Sequence, residues 1–358
     1  MIDFLIIGGG IAGLSSGARL SVHGSVTVLE GESALGYHSS GRSAAMFEEN
    51  YGPPPTVELS RASADFFETH KGGYLSARGF MLLAKSHQHD AFISDMTELD
   101  LQPILLDQAF DMVPILNPET VVSAALHDAA SDIDTDRLLQ DFARDIRGAG
   151  GQVLTGNPVS EISHQGRWRV QAGEVFEARV LVNAAGAWAD QIAVMAGLPP
   201  VGLTPRRRSI AQLPAPGGRD VSSWPMLMGV GESWYAKPSA GKWLVSPADA
   251  DPVEPHDAFA DDLVLAEGLA RYEEMVTTPV TRLETSWAGL RSFSPDGNLV
   301  LGPDPTNPSF VWSAGQGGYG FQTAPAASQL VADLVTGNAP ELPTEVISVL
   351  QPDRLRQS

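Results

Sequence analysis

Apolar and polar positions follow two rhythms along the chain, and the change from one to the other divides it. The opening "DFLIIGGGIAGLSSGARLSVHGSVTVLEG" is an apolar run, a glycine cluster, a stretch with Leu14 and Leu20 among its apolar positions, and a second apolar run. This pattern predicts a buried strand over residues 3–7, a helix over 11–22 and a second strand over 25–30, which together form a βαβ unit. In "DIDTDRLLQDFARDIRGAGG" the apolar Leu138, Phe142 and Ile146 fall four apart and glycines follow, so a helix is expected over 132–149. Short strands are expected at 152–155, 158–163 and 167–171, and "ARVLVNAAGAWADQIAVMAG" reads as a buried strand running through small residues into a helix. From 200 to 290 the texture becomes strands separated by Pro and Gly turns, as in "WYAKPSAGKWLVSP", which predicts a mostly antiparallel sheet. Strand, glycine turn and helix return in "FVWSAGQGGYGFQTAPAASQLVADLV". No internal repeat or low-complexity tract interrupts this order.

At 358 residues the chain is long for one compact unit, so two interlocked domains are expected. The 43% hydrophobic content is that of an ordinary soluble protein, and no apolar run is long enough for a transmembrane helix. Asp3 stands where a secretory signal would carry basic residues, so no targeting segment is read and the cytoplasm is the simplest location. The absence of cysteine excludes disulfides, thiolate metal sites, a thiol nucleophile and a cysteine-linked cofactor. A net charge of -20 argues against nucleic acid or an anionic membrane as partner. The eight histidines lack ligand spacing, and no metal is expected.

The chemistry starts at Gly8-x-Gly10-x-x-Gly13. Gly8 suits a tight turn, Gly10 the close approach of a pyrophosphate, and Gly13 the packing of helix on strand, with the helix N-terminus facing the phosphates. Glu30, 17 residues after Gly13, closes the second strand where a carboxylate accepts from ribose hydroxyls. A plain glycine turn in an α/β sheet is the alternative. A nicotinamide enzyme would continue in regular βα repeats, whereas this chain enters the Ser/Gly/Arg loop "GYHSSGRSAA", which favours a flavin. "VLVNAAGAW" is like the strand that flavoproteins run past the cofactor, though a small-residue crossover also explains it. The stretch "SSGRSAAMFEE" admits a second reading, the start of a capped helix.

Eight blocks in order carry a wider resemblance: "GYHSSGRSAA", "DIDTD", "VLVNAAGAW", "RRRS", "WPML", "SPADADPVE", "SWAGLRSF" and "GQGGYGFQT". Over nearly its full length the chain resembles the D-amino acid oxidase family of FAD oxidoreductases, in particular the bacterial D-arginine and D-amino acid dehydrogenases. The resemblance implies an α/β fold: a Rossmann-like FAD-binding domain of the glutathione-reductase type, with a mainly antiparallel substrate domain roofing the flavin. The FAD domain is expected to be discontinuous, from residues 1–75, 128–198 and 288–358, and the substrate domain to come from 76–127 and 199–287. FAD is expected to bind non-covalently, although His38 is a conceivable attachment point.

The cofactor contacts implied are Gly8, Gly10, Ile11, Ala12, Gly13 and Glu30 from the opening unit, and Gly41, Arg42 and Ser43 from the loop. Val159, Ala185, Gly186 and Trp188 follow, then Gly289 and Arg291, and finally Gly317, Gly318, Tyr319 and Gly320. The helix after "GQGGYG" would aim its positive end at the flavin. Arg42 is available for the phosphates or the ring edge, and Met46 to Tyr51 would form a mobile lid. Arg208 and Arg291 would form a fork for the substrate α-carboxylate, with Tyr235 adding a hydroxyl, Gly289 a carbonyl for the amine and Gln316 lining the pocket. "RRRS" as a solvated edge and Tyr235 as a sheet tyrosine are the plainer alternatives.

In D-arginine-selective members a histidine stands at the position of Met46 and a glutamate at that of Phe80. A pocket of Met46, Phe80, Phe47 and Tyr51 offers a guanidinium no evident partner unless Glu48 or Glu49 swings inward. The expected activity is therefore FAD-dependent oxidative deamination of neutral, apolar or aromatic D-amino acids. Hydride leaves Cα for flavin N5, and the imino acid hydrolyses to a 2-oxo acid and ammonia. Rival readings are a sarcosine-type secondary amino acid oxidase, a 2-hydroxy acid dehydrogenase, or a flavin-binding module without turnover. The partner expected is a small amino acid, and the electron acceptor is left unassigned by the sequence.

Overall fold

The opening unit forms as Ile2–Ile7, Ile11–Leu20 and Val26–Leu29 in the computed structural model, which describes residues 1–356. Gln357 and Ser358, the end of the expected FAD domain, lie outside the described residues. Ile2–Ile7 runs parallel to Val26–Leu29 on one side and to Glu174–Asn183 on the other. Glu174–Asn183 is in turn parallel to Phe310–Ala314 through Leu181, Val182 and Asn183. The other edge of this eight-stranded sheet ends at Gln152–Leu154, and an antiparallel extension is made by Glu161–His164 and Trp168–Ala172. The runs are apolar on both faces because helices cover one side, with Leu14, Leu138, Phe142 and Leu330 in that core, while Trp168, Phe310 and Trp312 fill the other.

The second eight-stranded sheet takes its strands from 80–127 and 204–293. It is largely antiparallel, as the Pro/Gly-punctuated texture predicts, but Met226–Gly229 pairs in parallel with Phe80–Ala84. Its back is packed by the helices Leu106–Met112 and Asp262–Glu273, around Trp224, Trp243 and Tyr272. Thr285–Phe293 is one continuous strand, paired with Thr204–Pro214 over its whole length. By sheet membership the chain passes back to the first sheet after Phe293.

Three local expectations change. "SSGRSAAMFEE" is not a helix start: turns cover 36–42, and Met46–Phe47 is a short strand against Ser131–Ile133. This pairing also ties down the segment expected to be a lid, in a three-stranded sheet completed by Leu75–Ala77. The helix expected from 132 begins at Thr135, because the Asp134 side chain accepts from Arg137 N at 3.1 Å and caps it. The strand expected over 158–163 is Glu161–His164, which leaves Val159 in the preceding loop. Among the described residues, no helix is long and apolar enough to cross a membrane.

Candidate active site

The carboxyl ends of three neighbouring parallel strands meet at one cleft: Ile2–Ile7 leads into Gly10, Glu174–Asn183 into Ala184 and Gly186, and Phe310–Ala314 into Gln316–Gly318. Ligands of open α/β sheets bind at such a crest. The glycines there have different tasks. Gly8 has φ +111°, and a Cβ on it would lie 2.3 Å from Ala184 O; one on Gly13 would lie 1.9 Å from Gly8 O. Both are required by the turn itself. A Cβ on Gly10 would meet only Ser40 Oγ, at 3.2 Å, so this glycine keeps space open on the cleft wall.

The helix Ile11–Leu20 starts here with its first N–H donating to Ser40 Oγ at 3.0 Å, and the 17-residue helix Gly320–Thr336 starts beside it, where a Cβ on Gly320 would lie 3.5 Å from Ile11 Cγ2. Ala12, Ser43, Gly317, Gly318 and Gly320 join Gly10 and Gly186 in a wall of small residues, with Ile11 beside them. Two helix N-termini and this wall fit an anionic dinucleotide, whose phosphates Gly10, Ile11 and Ala12 would meet.

The roof is one face of the second sheet. Arg208 lies opposite Gly289 in the ladder and Arg206 opposite Arg291, so Arg208, Gly289 and Arg291 share the cleft face. Tyr235, Met228, Met226 and Phe80 continue that face across the neighbouring strands. Arg208 is 9% exposed; its Nε is buried without a hydrogen-bond partner, and its guanidinium is 3.7 Å from Glu232 and 6.0 Å from the Tyr235 ring centroid. Burial opposes the charge on Arg291, but Tyr51, Tyr235 and Glu232 around it hold its pKa above the ordinary value. Burial also pushes the Tyr51 phenol up. The Tyr51 ring sits edge-on to Tyr319 at 5.2 Å, and its carbonyl accepts from Gln322 Nε2 at 2.9 Å.

The cleft thus gathers Arg208, Tyr235, Gly289, Arg291 and Gln316 with Met46, Tyr51 and Phe80. Several expected residues stand elsewhere. Phe47 turns into the core, 8% exposed, with its ring 5.2 Å from Phe67, and does not line the cleft. Arg42 borders it, but its guanidinium donates to Ala258 O at 2.8 Å, Ala288 O at 2.9 Å and Tyr37 O at 3.2 Å and pairs with Asp257. These partners engage the guanidinium that the sequence assigned to the phosphates or the ring edge.

The Glu30 carboxylate accepts from Gly9 N at 2.7 Å and Glu32 N at 2.8 Å, so it braces the turn. Trp188 packs on His38 at 4.6 Å, and Tyr319 stands behind Tyr51. Gly41 serves the loop turn, donating to Gly36 O at 2.6 Å, and Ala185 donates to the buried Asn183 at 3.4 Å. Val159 packs against the outer core of the first sheet. Glu232, Met226 and Met228 are cleft residues that sequence reasoning missed. Glu232 is in a tight turn with φ +49°, a conformation that no periodicity announces.

Comparison with known proteins gives the same outline. The chain is 25% identical over 398 residues to FAD-dependent oxidoreductase domain-containing protein 1 of Bos taurus, covering 93% of this chain and 81% of that one. It is 25% identical over 377 residues to glycine oxidase of Bacillus licheniformis, covering 98% and 97%. Its fold superposes on L-proline dehydrogenase from P.horikoshii with a TM-score of 0.85 at 20% identity, covering 99% and 98%. The sequence profile of the DAO family, FAD dependent oxidoreductase, matches residues 3–334, and the chain belongs to that family of FAD-dependent enzymes.

Proposed function

We propose that this oxidoreductase deaminates D-amino acids with neutral, apolar or aromatic side chains. The observation that carries the reading is that Arg208 and Arg291 stand on one cleft face, the former with a buried, unpartnered Nε. A buried guanidinium without its full set of acceptors is costly, and an α-carboxylate would satisfy it through two charge-assisted bonds. In this reading Tyr235 adds a hydroxyl to the same carboxylate, and the Gly289 carbonyl, beside its ladder partner Arg208, accepts from the amine. Met46, Phe80, Met226 and Met228 then offer the side chain an apolar surface.

Bound FAD supplies the acceptor for the two electrons that leave with the Cα hydrogen. The protein's part is to fix the carboxylate and amine so that Cα–H faces the cofactor wall, and to exclude water there. The amine gives its proton to solvent, and the resulting imine takes up water to give a 2-oxo acid and ammonia.

Anaerobic mixing of the yellow enzyme with single D- and L-amino acids, sarcosine and 2-hydroxy acids tests this through flavin absorbance. Bleaching by apolar and aromatic D-amino acids, faster than by D-arginine, is expected. Bleaching by sarcosine or by 2-hydroxy acids alone would replace the assignment with a secondary-amine oxidase or a hydroxy acid dehydrogenase.

A further inference from the structure

Glu48 is an acid in an apolar place. It is 4% exposed yet borders the cleft, beside Met46 and Phe80. A carboxylate removed from water needs partners, and Glu48 has two: His127 Nδ1 lies 2.6 Å from Oε2, and Asn50 N donates to Oε1 at a long 3.3 Å. Burial pushes its carboxyl up, while the bond to His127 pulls it down. A carboxylate has room for about four hydrogen bonds, so acceptor capacity remains on a residue of the cleft wall.

The sheet decides where this acceptor stands. His127 is the ladder partner of Phe80, so both side chains rise from the cleft face. Strand order places Arg208 and Arg291 towards one edge of the roof and His127 beyond Phe80 towards the other, with Tyr235, Met226 and Met228 between. A substrate held by its carboxylate at the arginines would then extend its side chain along the apolar part of the roof, in the direction of Glu48.

A purely structural pair, pinning residues 48–51 to the sheet, is the plainer explanation. It accounts for the bond to His127 but not for setting the acid on the cleft wall among methionines and a phenylalanine. His127 Nδ1 already faces the carboxylate at 2.6 Å, and an uncharged donor adds a bond to the remaining acceptor positions without bringing a second charge out of water.

Resting on the carboxylate clamp proposed above, we infer that Glu48, oriented by His127, is the specificity-determining acceptor for an uncharged hydrogen-bond donor at the end of the substrate side chain. Amide, phenol and indole ends are the matching groups.

The test compares substrates that differ at that end. In the wild-type holoenzyme kcat/KM is measured for D-tyrosine against D-phenylalanine, D-glutamine against D-methionine, and D-lysine against D-norleucine. A preference of about tenfold or more for the donor in at least one of the two uncharged pairs is expected, because a site built to bond a donor rejects its analogue. Glu48→Leu should level that preference with FAD retained, and Glu48→Gln, which keeps an acceptor, should restore part of it. Binding of 4-hydroxyphenylacetate against phenylacetate, read from the flavin spectrum, should follow the same order.

Flat wild-type ratios, a preference that survives Glu48→Leu, or D-lysine favoured over D-norleucine would each overturn the inference while leaving the clamp standing. If no amino acid bleaches the flavin, the proposed function falls and this inference with it. The wild-type ratios need no variant, so a Glu48→Leu protein that fails to fold does not shelter the idea.

Discussion

Arg208 faces Gly289 directly across the ladder between Thr204–Pro214 and Thr285–Phe293, and Arg291 rises from the same face two residues beyond the glycine. Without a side chain at Gly289, two arginines from adjacent strands flank a space bounded by the 39–42 loop, in which a Cβ would touch Arg42 Cβ at 3.5 Å and Ser39 Cα at 3.6 Å. If that space holds a carboxylate, Arg291→Met and Arg208→Met should each lower kcat/KM about 100-fold or more, chiefly through KM, with the flavin spectrum retained. Steady-state kinetics beside the ratio of visible to ultraviolet absorbance check this. An unchanged KM would remove the clamp.

The opening glycines should separate folding from cofactor binding. Gly13→Ala puts a Cβ 1.9 Å from Gly8 O, so helix and strand must part, and loss of soluble folded protein is expected. Gly10→Ala meets only Ser40 Oγ at 3.2 Å and projects into the cleft. It should fold, with the same far-ultraviolet circular dichroism, yet retain less flavin on gel filtration.

Lys237 links roof to wall. It is 6% exposed, pairs with Asp132 and donates to Ala44 O at 3.3 Å, while Asp132 also accepts from Arg78 at 2.7 Å. Lys237→Met strands part of a buried ionic network and should cost about 3 kcal/mol, read as a lower denaturant midpoint. Because Ala44 and Met46 line the cleft, flavin retention should fall with it.

Acid should reach the protein through Asp304. This carboxylate is fully buried; burial raises its pKa, but Trp312 Nε1 at 2.9 Å, Arg356 at 2.7 Å and Thr306 N at 2.8 Å hold it below the ordinary 3.8. A group with a lowered folded-state pKa contributes stability above its unfolded value, and that contribution is lost as pH falls through the folded value. Asp304→Asn should therefore be less stable near neutrality and lose less between pH 5 and acid below the carboxylate range, about pH 2. Urea midpoints across that span test the slope.

The opening βαβ unit was legible because a continuous apolar run, a glycine turn and helical spacing each have one simple solution. Asp134 was harder to weigh: its capping bond moves the helix start three residues past the expected 132, and only geometry shows that bond. A two-residue strand such as Met46–Phe47 has no period to detect, so its pairing with residues 131–132, and the burial of Phe47 that accompanies it, stayed invisible. At the cleft, Arg208, Tyr235 and Arg291 came from resemblance rather than from spacing. Glu232 was lost because a surface-looking turn carries it inward, and Met226 because a parallel pairing to Phe80, 146 positions earlier, defines its face.

The order in which the chain emerges during synthesis meets a delay built into the first sheet. Ile2–Ile7 needs Glu174–Asn183 beside it, and that strand needs Phe310–Ala314. Val26–Leu29 follows within seconds, but at translation rates of roughly 5–20 residues per second the first strand waits on the order of ten to thirty seconds for its other neighbour, and Phe310–Ala314 comes later still. For that interval the opening βαβ unit stands outside the ribosome with one apolar edge of its first strand unpaired. Holding such segments apart from other nascent chains is work for a chaperone, and the yield of active enzyme should depend on it more than the stability of the finished fold suggests.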